Sequence, residues 1–273
     1  MSSKIWFITG TSRGFGRIWT EAALRRGDKV VATARDVSAL APLVDSFGES
    51  VLPLALDVTH RDEVFAAVDR AHGHFGRIDV VVNNAGYGLF GAVEEVTEQQ
   101  VRAQLETNFF GALWVTQAAL PYLRAQRVGH IVQVSSIGGV ITIPNLGAYH
   151  ASKWALEGLS ESLSQEVAGF GINVTLVEPG GYETDWGGSS AASAETLPVY
   201  DDVRSEIAKM WAGLPQGDPE ATAPAILKIV DAEEPPLRVI LGTTPLDFAR
   251  DSYHRRLATW DEWSEVSRAA QGG

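Results

Sequence analysis

The sequence predicts an α/β fold in which helices cover both faces of a doubly wound, parallel, seven-stranded sheet. Short runs of Val, Ile and Leu, typical of strands buried on both faces, recur along the chain. Segments of helical periodicity separate them, and repeated strand–helix–strand connections form such sheets with right-handed crossovers. The chain has 273 residues, of which 45% are hydrophobic, which suits one domain with a substantial core.

Seven apolar runs are the predicted strands. They are KIWFIT, KVVATA, VLPLAL, IDVVVN, HIVQVS, INVTLV and LRVILG, at residues 4–9, 29–34, 51–56, 78–83, 130–135, 172–177 and 237–242. The amphipathic segments between them include GRIWTEAALRRG, which ends at Gly27, HRDEVFAAVDRAHG, and one long helix over 97–126. Together these elements predict a Rossmann-like sheet.

Two segments interrupt this alternation. Residues 177–200 are rich in Gly, Ser and Ala and have no strand period. A long irregular loop in a compact α/β domain is usually an active-site lid or a disordered segment, and we expect a substrate lid over about 180–215. The last residues, about 243–273, predict a C-terminal extension made of a helix and a tail. The expectation is therefore a single domain, 1–273, with these two additions.

Composition excludes several classes of function. The chain carries 22 Lys and Arg against 34 Asp and Glu, a formal charge of −12. Such a surface argues against a nucleic-acid or anionic-membrane partner, although backbone N–H groups and a few local cations can still bind a small phosphorylated ligand. No apolar run approaches the ~18 residues that span a bilayer, and the N-terminal run is too short for a signal peptide.

The absence of cysteine removes disulfides, thiolate metal sites and a cysteine nucleophile, and it predicts a protein of the reducing cytoplasm. His72 and His74 form an HGH sequence that invites a metal interpretation. No third ligand lies at a recognisable spacing, so we expect a solvated turn there and no metal site.

Two glycine-rich loops compete as the nucleotide site. TGTSRGFG (9–16) follows the first strand, opens a helix and lies roughly 20 residues before the end of the next strand, where a ribose-binding residue is expected. Its backbone N–H groups and the helix dipole would face a pyrophosphate. GYGLFG (86–91) spells G-x-G-x-x-G, but no predicted strand follows it until residue 130. This second loop either borders the reacting end of a cofactor or is a turn without function.

The first loop has two competing interpretations. GTSRG (10–14) also matches the G-x-S-x-G nucleophile elbow of hydrolases, but only nine residues precede it, too few to supply an oxyanion-hole donor. Ser12 could instead only cap the helix. We therefore favour nucleotide binding.

Charge at the end of the second strand predicts which nucleotide binds. An acidic residue there would bind a free ribose 2′-OH, but the position is Ala34, with Arg35 beside it and Arg13 in the glycine loop. Two converging cations favour NADP(H) over NAD(H), unless Arg13 is a solvated loop residue.

Tyr149 and Lys153 in YHASK are four residues apart, one turn apart on one helix face. An ammonium there, with a cationic oxidised nicotinamide, would favour the phenolate and lower the tyrosine pKa toward neutrality. Taken alone, the pair could also be a core tyrosine and a surface lysine. Ser136 ends HIVQVSS, where its hydroxyl could hold a substrate oxygen, although Ser135 or Ser136 could only cap a turn. Asn108, predicted on the long helix among apolar neighbours, needs a hydrogen-bond partner.

Seven motifs, taken together in order and spacing, resemble the compact single-domain branch of the short-chain dehydrogenase/reductase family. They are TGTSRGFG, LDVT (56–59), NNAG (83–86), NFFG (108–111), SS (135–136), YHASK (149–153) and EPGGYET (178–184). The resemblance runs from about residue 4 to about residue 242. The segment after it is longer than compact members carry and could cover the face that many of them use to form tetramers, so a dimer or a tetramer stays open.

The resemblance implies roles for the matching residues. Tyr149 would be the proton donor or acceptor, and Ser136 would hydrogen-bond the substrate carbonyl. Lys153 would hold the nicotinamide ribose and lower the tyrosine pKa, and Asn108 would continue a proton relay through water. Within the nucleotide set, Asp57 and Val58 would flank the adenine and Thr184 would touch the carboxamide. The implied nucleotide-binding residues are Gly10, Ser12, Arg13, Gly14, Phe15, Gly16, Arg35, Asp57, Val58, Asn84, Ala85, Gly86, Tyr149, Lys153, Pro179, Gly180 and Thr184.

The implied activity is an NADP(H)-dependent oxidoreductase that passes a hydride between the nicotinamide and a carbonyl carbon. Bulky apolar candidates for the pocket wall predict a hydrophobic ketone, aldehyde or alcohol as the substrate; they are Leu89, Phe90, Val140, Ile141, Tyr182, Trp186 and Trp211. The alternative is a regulatory protein that binds the nucleotide without turning it over. Loss of Ser136, Tyr149 or Lys153 would favour that alternative, and all three are present.

Overall fold

The computed structural model describes residues 3–272 and contains the predicted parallel sheet. Its nine strands are β1 Ile5–Ile8, β2 Lys29–Ala34, β3 Val51–Ala55, β4 Val80–Asn83, β5 Leu89–Phe90, β6 Gly129–Val134, β7 Ile172–Pro179, β8 Ala192–Ser193 and β9 Arg238–Leu241. Seven of them form one sheet in the order β3-β2-β1-β4-β6-β7-β9, and every pairing in it is parallel. The seven predicted strands and the single-domain α/β fold are therefore confirmed. The short parallel pair β5–β8 was not predicted.

Helices cover both faces of the sheet, as predicted. They are α1 Gly14–Arg25, α2 Ala41–Phe47, α3 Arg61–Phe75, α4 Glu98–Leu105, α5 Gly111–Gln126, α6 Gly147–Val167, α7 Asp201–Ala212, α8 Thr222–Asp231, α9 Thr243–Glu262 and α10 Ser264–Ala270. Side chains alternate between the two faces along each strand. Trp6 and Ile8 of β1 accordingly pack in one apolar cluster with α1 and α8, whereas Phe7 packs in a second cluster with α3 and α5. Two buried faces explain why the strands are apolar at almost every position.

The predicted long helix over 97–126 is interrupted at the position of Asn108. Thr97 and Gln100 form a capping box that starts α4. A π-helical turn, Glu106–Phe110, then separates α4 from α5. Such turns insert an extra residue into a helix and are frequent at functional sites. Helical periodicity alone does not reveal this insertion, and it changes the direction in which Asn108 points.

The solvated turn expected around His72 and His74 is wrong. Both lie in the last turn of α3, where the ring of His72 stacks on Tyr122 at 4.1 Å between centroids and that of His74 meets Phe75 edge-on at 4.5 Å. Within residues 3–272, no group of three His, Asp or Glu residues is arranged to hold a metal ion. Across the same range no helix is both long and apolar enough to cross a membrane.

The two added segments contain more regular structure than predicted. The region 180–215 is irregular only in its first half, and α7 forms its second half. After residue 242 the chain forms α9 and also α10, so the expected tail is a second helix. In α9 only Pro245 and Ala249 are buried. The helix therefore has no long apolar face that its sequence periodicity could reveal.

We predict that His130 makes the fold sensitive to acid. The ring lies buried on β6, where its Nε2 meets Thr175 Oγ1 at 2.9 Å; that hydroxyl donates its only hydrogen to the carbonyl oxygen of Pro236, so Nε2 carries the donated proton. Burial, helped by the charge of Lys4, lowers the pKa of His130 to about 4.

An unfolded chain binds a proton at the imidazole near pH 6.5, whereas the folded protein resists it until about pH 4. Stability is therefore lost as the pH falls through this window. Between pH 7.5 and 5, the parent should lose about 2 kcal/mol more unfolding free energy than His130→Gln, which keeps a donor for Thr175. Urea denaturation at both pH values measures this difference, and equal losses in the two proteins would refute it.

Candidate active site

A cleft of about 1240 Å³ opens above the carboxyl ends of the parallel strands. The strand order reverses between β1 and β4: the chain proceeds from β1 to β2 and β3 on one side, and from β4 to β6, β7 and β9 on the other. Open α/β sheets bind their ligands at such a reversal, because the loops that follow the two central strands turn to opposite faces there. The cleft therefore lies where the topology predicts a binding site.

The glycine loop between β1 and α1 forms one wall of the cleft. Gly10 and Gly14 adopt positive φ angles of 70° and 57°, which side chains rarely tolerate, and both line the cleft with Ser12 and Phe15. Arg13 precedes α1 in an extended conformation, and no side chain caps that end of the helix. The alternative in which Ser12 serves only as the helix cap is thus not observed. The loop presents an uncapped helix N-terminus to the cleft, the kind of end that binds anions.

Gly16 acts beneath the cleft and does not line it. A Cβ at this position would overlap the carbonyl oxygen of Gly10 and the side-chain amide of Asn84. That amide donates to the carbonyl oxygens of Thr9, at 2.8 Å, and Gly10, at 3.0 Å. Thr9 Oγ1 in turn accepts from the backbone N–H groups of Asn84 and Ala85, both at 3.0 Å. Gly16 permits the close packing that joins the loops after β1 and β4.

Arg13 is held by the predicted lid, whereas the prediction has it converge with Arg35 on the nucleotide site. Arg13 Nη1 binds Asp185 Oδ2 at 2.7 Å and Ser189 Oγ at 3.2 Å, so it connects the glycine loop to the predicted lid. The carboxylate of Asp185 in the lid attracts the Arg13 guanidinium. Nothing in the sequence around residue 185 indicated this pairing. Arg35 is exposed at the edge of the cleft after β2.

Asp57, the residue implied for the adenine, lies next to Arg35 and lines the cleft with Val58. Burial acts to raise the pKa of Asp57, but two hydrogen bonds from Thr59, at 2.9 and 2.7 Å, and the charges of His60 and Arg35 lower it overall. Asp57 is therefore an anionic acceptor at neutral pH.

Three of the four predicted catalytic side chains meet on the floor of the cleft. Ser136, Tyr149 and Lys153 all line it, the first from the end of β6 and the other two from α6. Ser136 Oγ accepts a hydrogen bond from Gly138 N at 3.0 Å, so this serine also caps a turn, and its hydroxyl contacts the phenol of Tyr149. The Lys153 ammonium donates to the carbonyl oxygen of Val134 at 2.8 Å.

Burial dominates the ionisation of the tyrosine–lysine pair. Tyr149 and Lys153 are only 5% and 6% exposed. Burial raises the pKa of Tyr149 to about 12, against a smaller lowering by the Ser136 hydroxyl, and burial lowers the pKa of Lys153 to about 8. The expectation that Lys153 would lower the pKa of Tyr149 toward neutrality is therefore not met by the protein groups alone. The lysine Nζ lies 5.9 Å from the centre of the phenol ring, and the loss of water outweighs its attraction.

Asn108 lies behind this floor and does not line the cleft. Its Oδ1 accepts from Tyr87 N at 3.1 Å, and its Nδ2 donates to Tyr87 O at 3.0 Å and to Ser152 Oγ at 3.1 Å. These are the partners that a buried amide requires. Through them the π-helical turn supports the loop after β4 at Gly86 and Tyr87, which does line the cleft.

An aromatic side chain closes the cleft over the tyrosine. Trp186 packs edge-on against Tyr149, at 5.0 Å between ring centroids, and against Phe90, at 5.6 Å. Gly88 makes room for it, since a Cβ there would lie 2.7 Å from the indole. The other confirmed positions on the cleft wall are Ile141, Tyr182 and Trp211. GYGLFG thus borders the cleft, as one of its two interpretations expected.

Leu89 and Val140 were wrongly placed on the pocket wall. Both are buried, at 1% and 6% exposure, and neither lines the cleft. Leu89 belongs to β5, where alternate side chains point to opposite sides. Phe90, the next residue and also a predicted wall residue, consequently faces the cleft.

His150 lines the cleft and was missed by the sequence analysis. Its Nδ1 lies 2.8 Å from Gly138 O, and its Nε2 accepts from Ile143 N at 3.0 Å. Because Nε2 accepts, Nδ1 carries the proton and donates to Gly138. The ring therefore fixes the loop that carries Ile141 and Ile143. The only sequence signal was the histidine within the YHASK motif.

Comparison with known proteins identifies similar chains along nearly the whole length. The family model described as short chain dehydrogenase matches residues 4–195. "Oxidoreductase BOA17" of Botryotinia fuckeliana is 45% identical over 98% of this chain and 99% of its own. "3-ketodihydrosphingosine reductase" of Bacteroides thetaiotaomicron is 38% identical over 89% of each chain. A crystal structure of a short-chain dehydrogenase from Streptomyces avermitilis is 40% identical, with a TM-score of 0.92 over 98% of both chains.

More distant solved structures carry nucleotides of both kinds. An alcohol dehydrogenase from Thermococcus sibiricus complexed with 5-hydroxy-NADP is 25% identical, with a TM-score of 0.74 over 88% of this chain and 96% of its own. A short chain dehydrogenase/reductase from Burkholderia phymatum in complex with NAD shares the fold at 24% identity, with a TM-score of 0.79 over 91% and 92%.

We predict that Gly16→Ala destabilises the protein, because the added methyl group must separate the Gly10 and Asn84 loops. The free energy of unfolding should fall by about 2 kcal/mol or more, the usual cost of overpacking. Gly73→Ala is the matched control: Gly73 lies on α3 with no atom within 4 Å of its Cβ position, and alanine there should stabilise the helix by about 0.5 kcal/mol or more. Urea denaturation compares the two, and a Gly16 variant as stable as the parent would contradict the packing argument.

Proposed function

The chain belongs to the short-chain dehydrogenase family, and we propose that within it the protein is an NADP(H)-dependent enzyme that interconverts a hydrophobic ketone or aldehyde and its alcohol. Family membership supports oxidoreductase activity in general. The finer proposal depends chiefly on one observation, the meeting of Ser136, Tyr149 and Lys153 on the floor of a cleft whose wall is a glycine loop. This arrangement gives the regulatory alternative no support.

The residues of the cleft fit a dinucleotide. A Cβ at Gly14 would meet no atom within 4 Å, so the loop leaves open space in front of an uncapped helix N-terminus, where a pyrophosphate would bind. Gly86 lies close to the lysine: a Cβ there would be 3.7 Å from Lys153 Nζ. We keep as the proposed nucleotide set the seventeen residues named above, with Gly16 and Asn84 shaping the loop. A bound nicotinamide would supply or accept the hydride.

The side chains on the cleft floor would handle the proton and the substrate oxygen. Ser136 would donate a hydrogen bond to the carbonyl oxygen and hold it beside the phenol. Tyr149, with its pKa raised to about 12 by burial, is protonated at neutral pH and would deliver its proton to that oxygen as negative charge develops there. The Lys153 ammonium would stabilise the phenolate left behind.

Asn108 remains our proposed relay residue for returning a proton to this site. Its side-chain amide already binds Tyr87 and Ser152, so a water in the relay would have to share Oδ1 or bind the backbone carbonyl of Asn108.

The apolar character of the cleft supports a hydrophobic substrate. Phe90, Ile141, Trp186 and Trp211 line the space above the tyrosine. Trp186 covers the phenol edge-on and would pack against the substituent of a carbonyl bound at Ser136. The name of one relative, a 3-ketodihydrosphingosine reductase, describes a ketone with a long apolar part, which agrees with this class.

The NADP(H) preference is proposed from charge. Ala34 stands where an acidic residue would favour NAD(H), and the exposed Arg35 beside it is free to approach a 2′-phosphate. Arg13, on the same loop as the pyrophosphate site, would have to leave Asp185 to contribute. The cysteine-free, acidic composition favours a cytoplasmic protein that acts on small molecules, and assembly as a dimer or tetramer stays a prediction.

We expect Tyr149→Phe to lower kcat for NADPH-dependent ketone reduction by at least about 100-fold, because phenylalanine has no proton to donate. NADPH absorbance over a panel of hydrophobic ketones measures the rate, and equilibrium binding checks that the nucleotide still binds. Tyr122→Phe is the control, since the Tyr122 hydroxyl only donates to Asp69 on the surface. A Tyr149 variant that reduces ketones at the parental rate would eliminate the proposed proton donor.

Arg35→Asp should shift the ratio of kcat/KM for NADPH over NADH toward NADH by at least about 10-fold, since a charge-assisted hydrogen bond contributes ~1.5 kcal/mol or more. Arg70→Asp on α3 makes the same change in net charge at an exposed site that does not line the cleft. It should leave the ratio unchanged. Equal ratios in the two variants would remove Arg35 from the explanation of cofactor choice.

A further inference from the structure

A buried group of charged residues lies one turn along α6 from Lys153, outside the lining of the cleft. It comprises Glu157 on α6, Glu178 on β7 and Arg238 on β9. The two glutamate side chains are 6% and 2% exposed, so both carboxyls are removed from water. Carboxylates are rarely buried this deeply without full pairing.

One guanidinium serves all the acidic groups here. Arg238 Nη2 lies 3.1 Å from Glu157 Oε2 and 3.1 Å from Glu161 Oε2, and Arg238 Nε lies 3.4 Å from Glu178 Oε1. Glu161 is half-exposed and can rely on solvent. The two buried carboxyls therefore share one arginine as their salt-bridge partner, so neither is fully paired.

Counting hydrogen-bond donors leads to the same conclusion. If both buried acids are ionised, neither oxygen of Glu157 has a well-aligned donor, and neither does Oε1 of Glu178. One proton between the two carboxyls would supply a missing donor and remove one of the buried charges. Glu178 is within hydrogen-bonding contact of Glu157, and carboxyl pairs in contact normally titrate in two separate steps.

The proton belongs on Glu178. Burial, and then the charge of Glu157, raise the pKa of Glu178 to about 8. Burial raises the pKa of Glu157 as well, but Glu157 has the stronger cationic surroundings: Arg238 approaches it more closely, and Lys153 lies one turn away on the same helix. Ser135 also lies beside Glu157, and Gly139 allows this packing: a Cβ on Gly139 would lie 2.7 Å from Ser135 Oγ and 3.1 Å from Glu157 Oε1.

We propose that Glu157 is a positioning residue for Lys153: its buried carboxylate, kept singly charged by a neighbouring protonated Glu178, holds the lysine as an ammonium at the cleft floor. Lys153 needs such a partner because its own burial disfavours the charged form, and the Glu157 charge opposes that effect. The consequence for catalysis rests on the proposed function, whereas the charge relation between Glu157 and Lys153 does not.

Several elements pack on this part of α6 and bring other polar groups near the pair. The groups facing Glu157 and Lys153 are Tyr149 and Glu161 of α6, Glu178 of β7, Arg238 of β9, and the uncharged Ser135, Ser136, Asn108 and His150. On α4, Glu98 and Arg102 pair with each other on the exposed surface. Glu157 is thus the anion through which the cluster acts on Lys153.

The test is a direct titration of Lys153 by NMR with 13Cε-labelled lysine. The chain has five lysines, so the spectrum is simple, and Lys153→Arg assigns the signal. The parent should titrate near pH 8. Glu157→Gln should move that midpoint to lower pH by about one unit, because removing an opposite charge disfavours the ammonium. Glu178→Gln should move it much less than Glu157→Gln does, because an amide resembles the protonated acid and still donates to Glu157.

Glu161→Gln is the surface control, since Glu161 also contacts Arg238 but is half-exposed; it should leave the midpoint unchanged. A Glu157→Gln midpoint equal to that of the parent, or equal shifts in the Glu157 and Glu178 variants, would overturn the proposal. If Glu157→Gln does not fold, 13Cδ-labelled glutamate decides the matter in the parent: one buried carboxyl must titrate near pH 8 and its neighbour well below it. Two carboxyls that both titrate below pH 5 would refute the shared proton.

Kinetics separate this proposal from the proposed function. If the enzyme reduces ketones, the alkaline limb of its kcat profile should move to lower pH in Glu157→Gln by the same amount as the lysine midpoint, with the acidic limb unchanged. If the parent oxidises no NADPH with any ketone, the proposed function fails, yet the NMR titrations still decide whether Glu157 sets the charge of Lys153.

Discussion

The whole site depends on the separation of chain directions between β1 and β4. The helix after β1 packs on one face of the sheet through Trp19 and Ala23, and α5, beyond β4, packs on the other face through Val115 and Ala118. The loops that leave these strands must therefore diverge, and a cleft is the necessary result. Asn84 and Thr9 join the two loops at their base by hydrogen bonds, so the cleft has a fixed floor as well as an opening.

On the cleft floor, where Ser136, Tyr149 and Lys153 meet, burial determines which side chains are ionised. Burial keeps the Tyr149 phenol protonated and lowers the pKa of the Lys153 ammonium. Both effects exceed the direct attraction between the two residues. A protonated phenol suits the donation of a proton to a carbonyl oxygen. An easily neutralised lysine, in contrast, requires an anion behind it. In our proposal, Glu157 provides that anion. The two buried carboxyls, which are costly for stability, would thereby serve the function of the cleft.

Much of the fold could be predicted because its physical causes are local in sequence. Strands buried on both faces need apolar residues at every position, which made all seven strands of the large sheet visible. A glycine loop between β1 and α1 and a tyrosine and lysine one turn apart are also local patterns. The structure brings these residues to one cleft, although the roles assigned to them remain proposals.

The features that were missed depend on contacts between distant parts of the chain. Asp185 pairs with Arg13 across 172 positions, so no local pattern could show that the arginine turns toward the lid. The π-helical turn at Asn108 adds one residue to a helix without disturbing its apolar periodicity enough to be seen. The raised pKa of Tyr149 arises from burial, and burial is a property of the assembled fold. Phe90 lines the cleft and Leu89 does not, and this difference depends on the orientation of β5 in the assembled fold.

Under the proposed function, hydride and proton reach the substrate by separate routes in this cleft. The most direct measurement follows the isotopes in the product of ketone reduction. With NADPH that carries deuterium at both C4 positions of the nicotinamide, one deuterium is expected on the carbinol carbon of the alcohol; with unlabelled NADPH in D₂O, none is expected on that carbon. Deuterium on the carbon from the solvent, or NADPH oxidation that leaves no label in the alcohol, would contradict it.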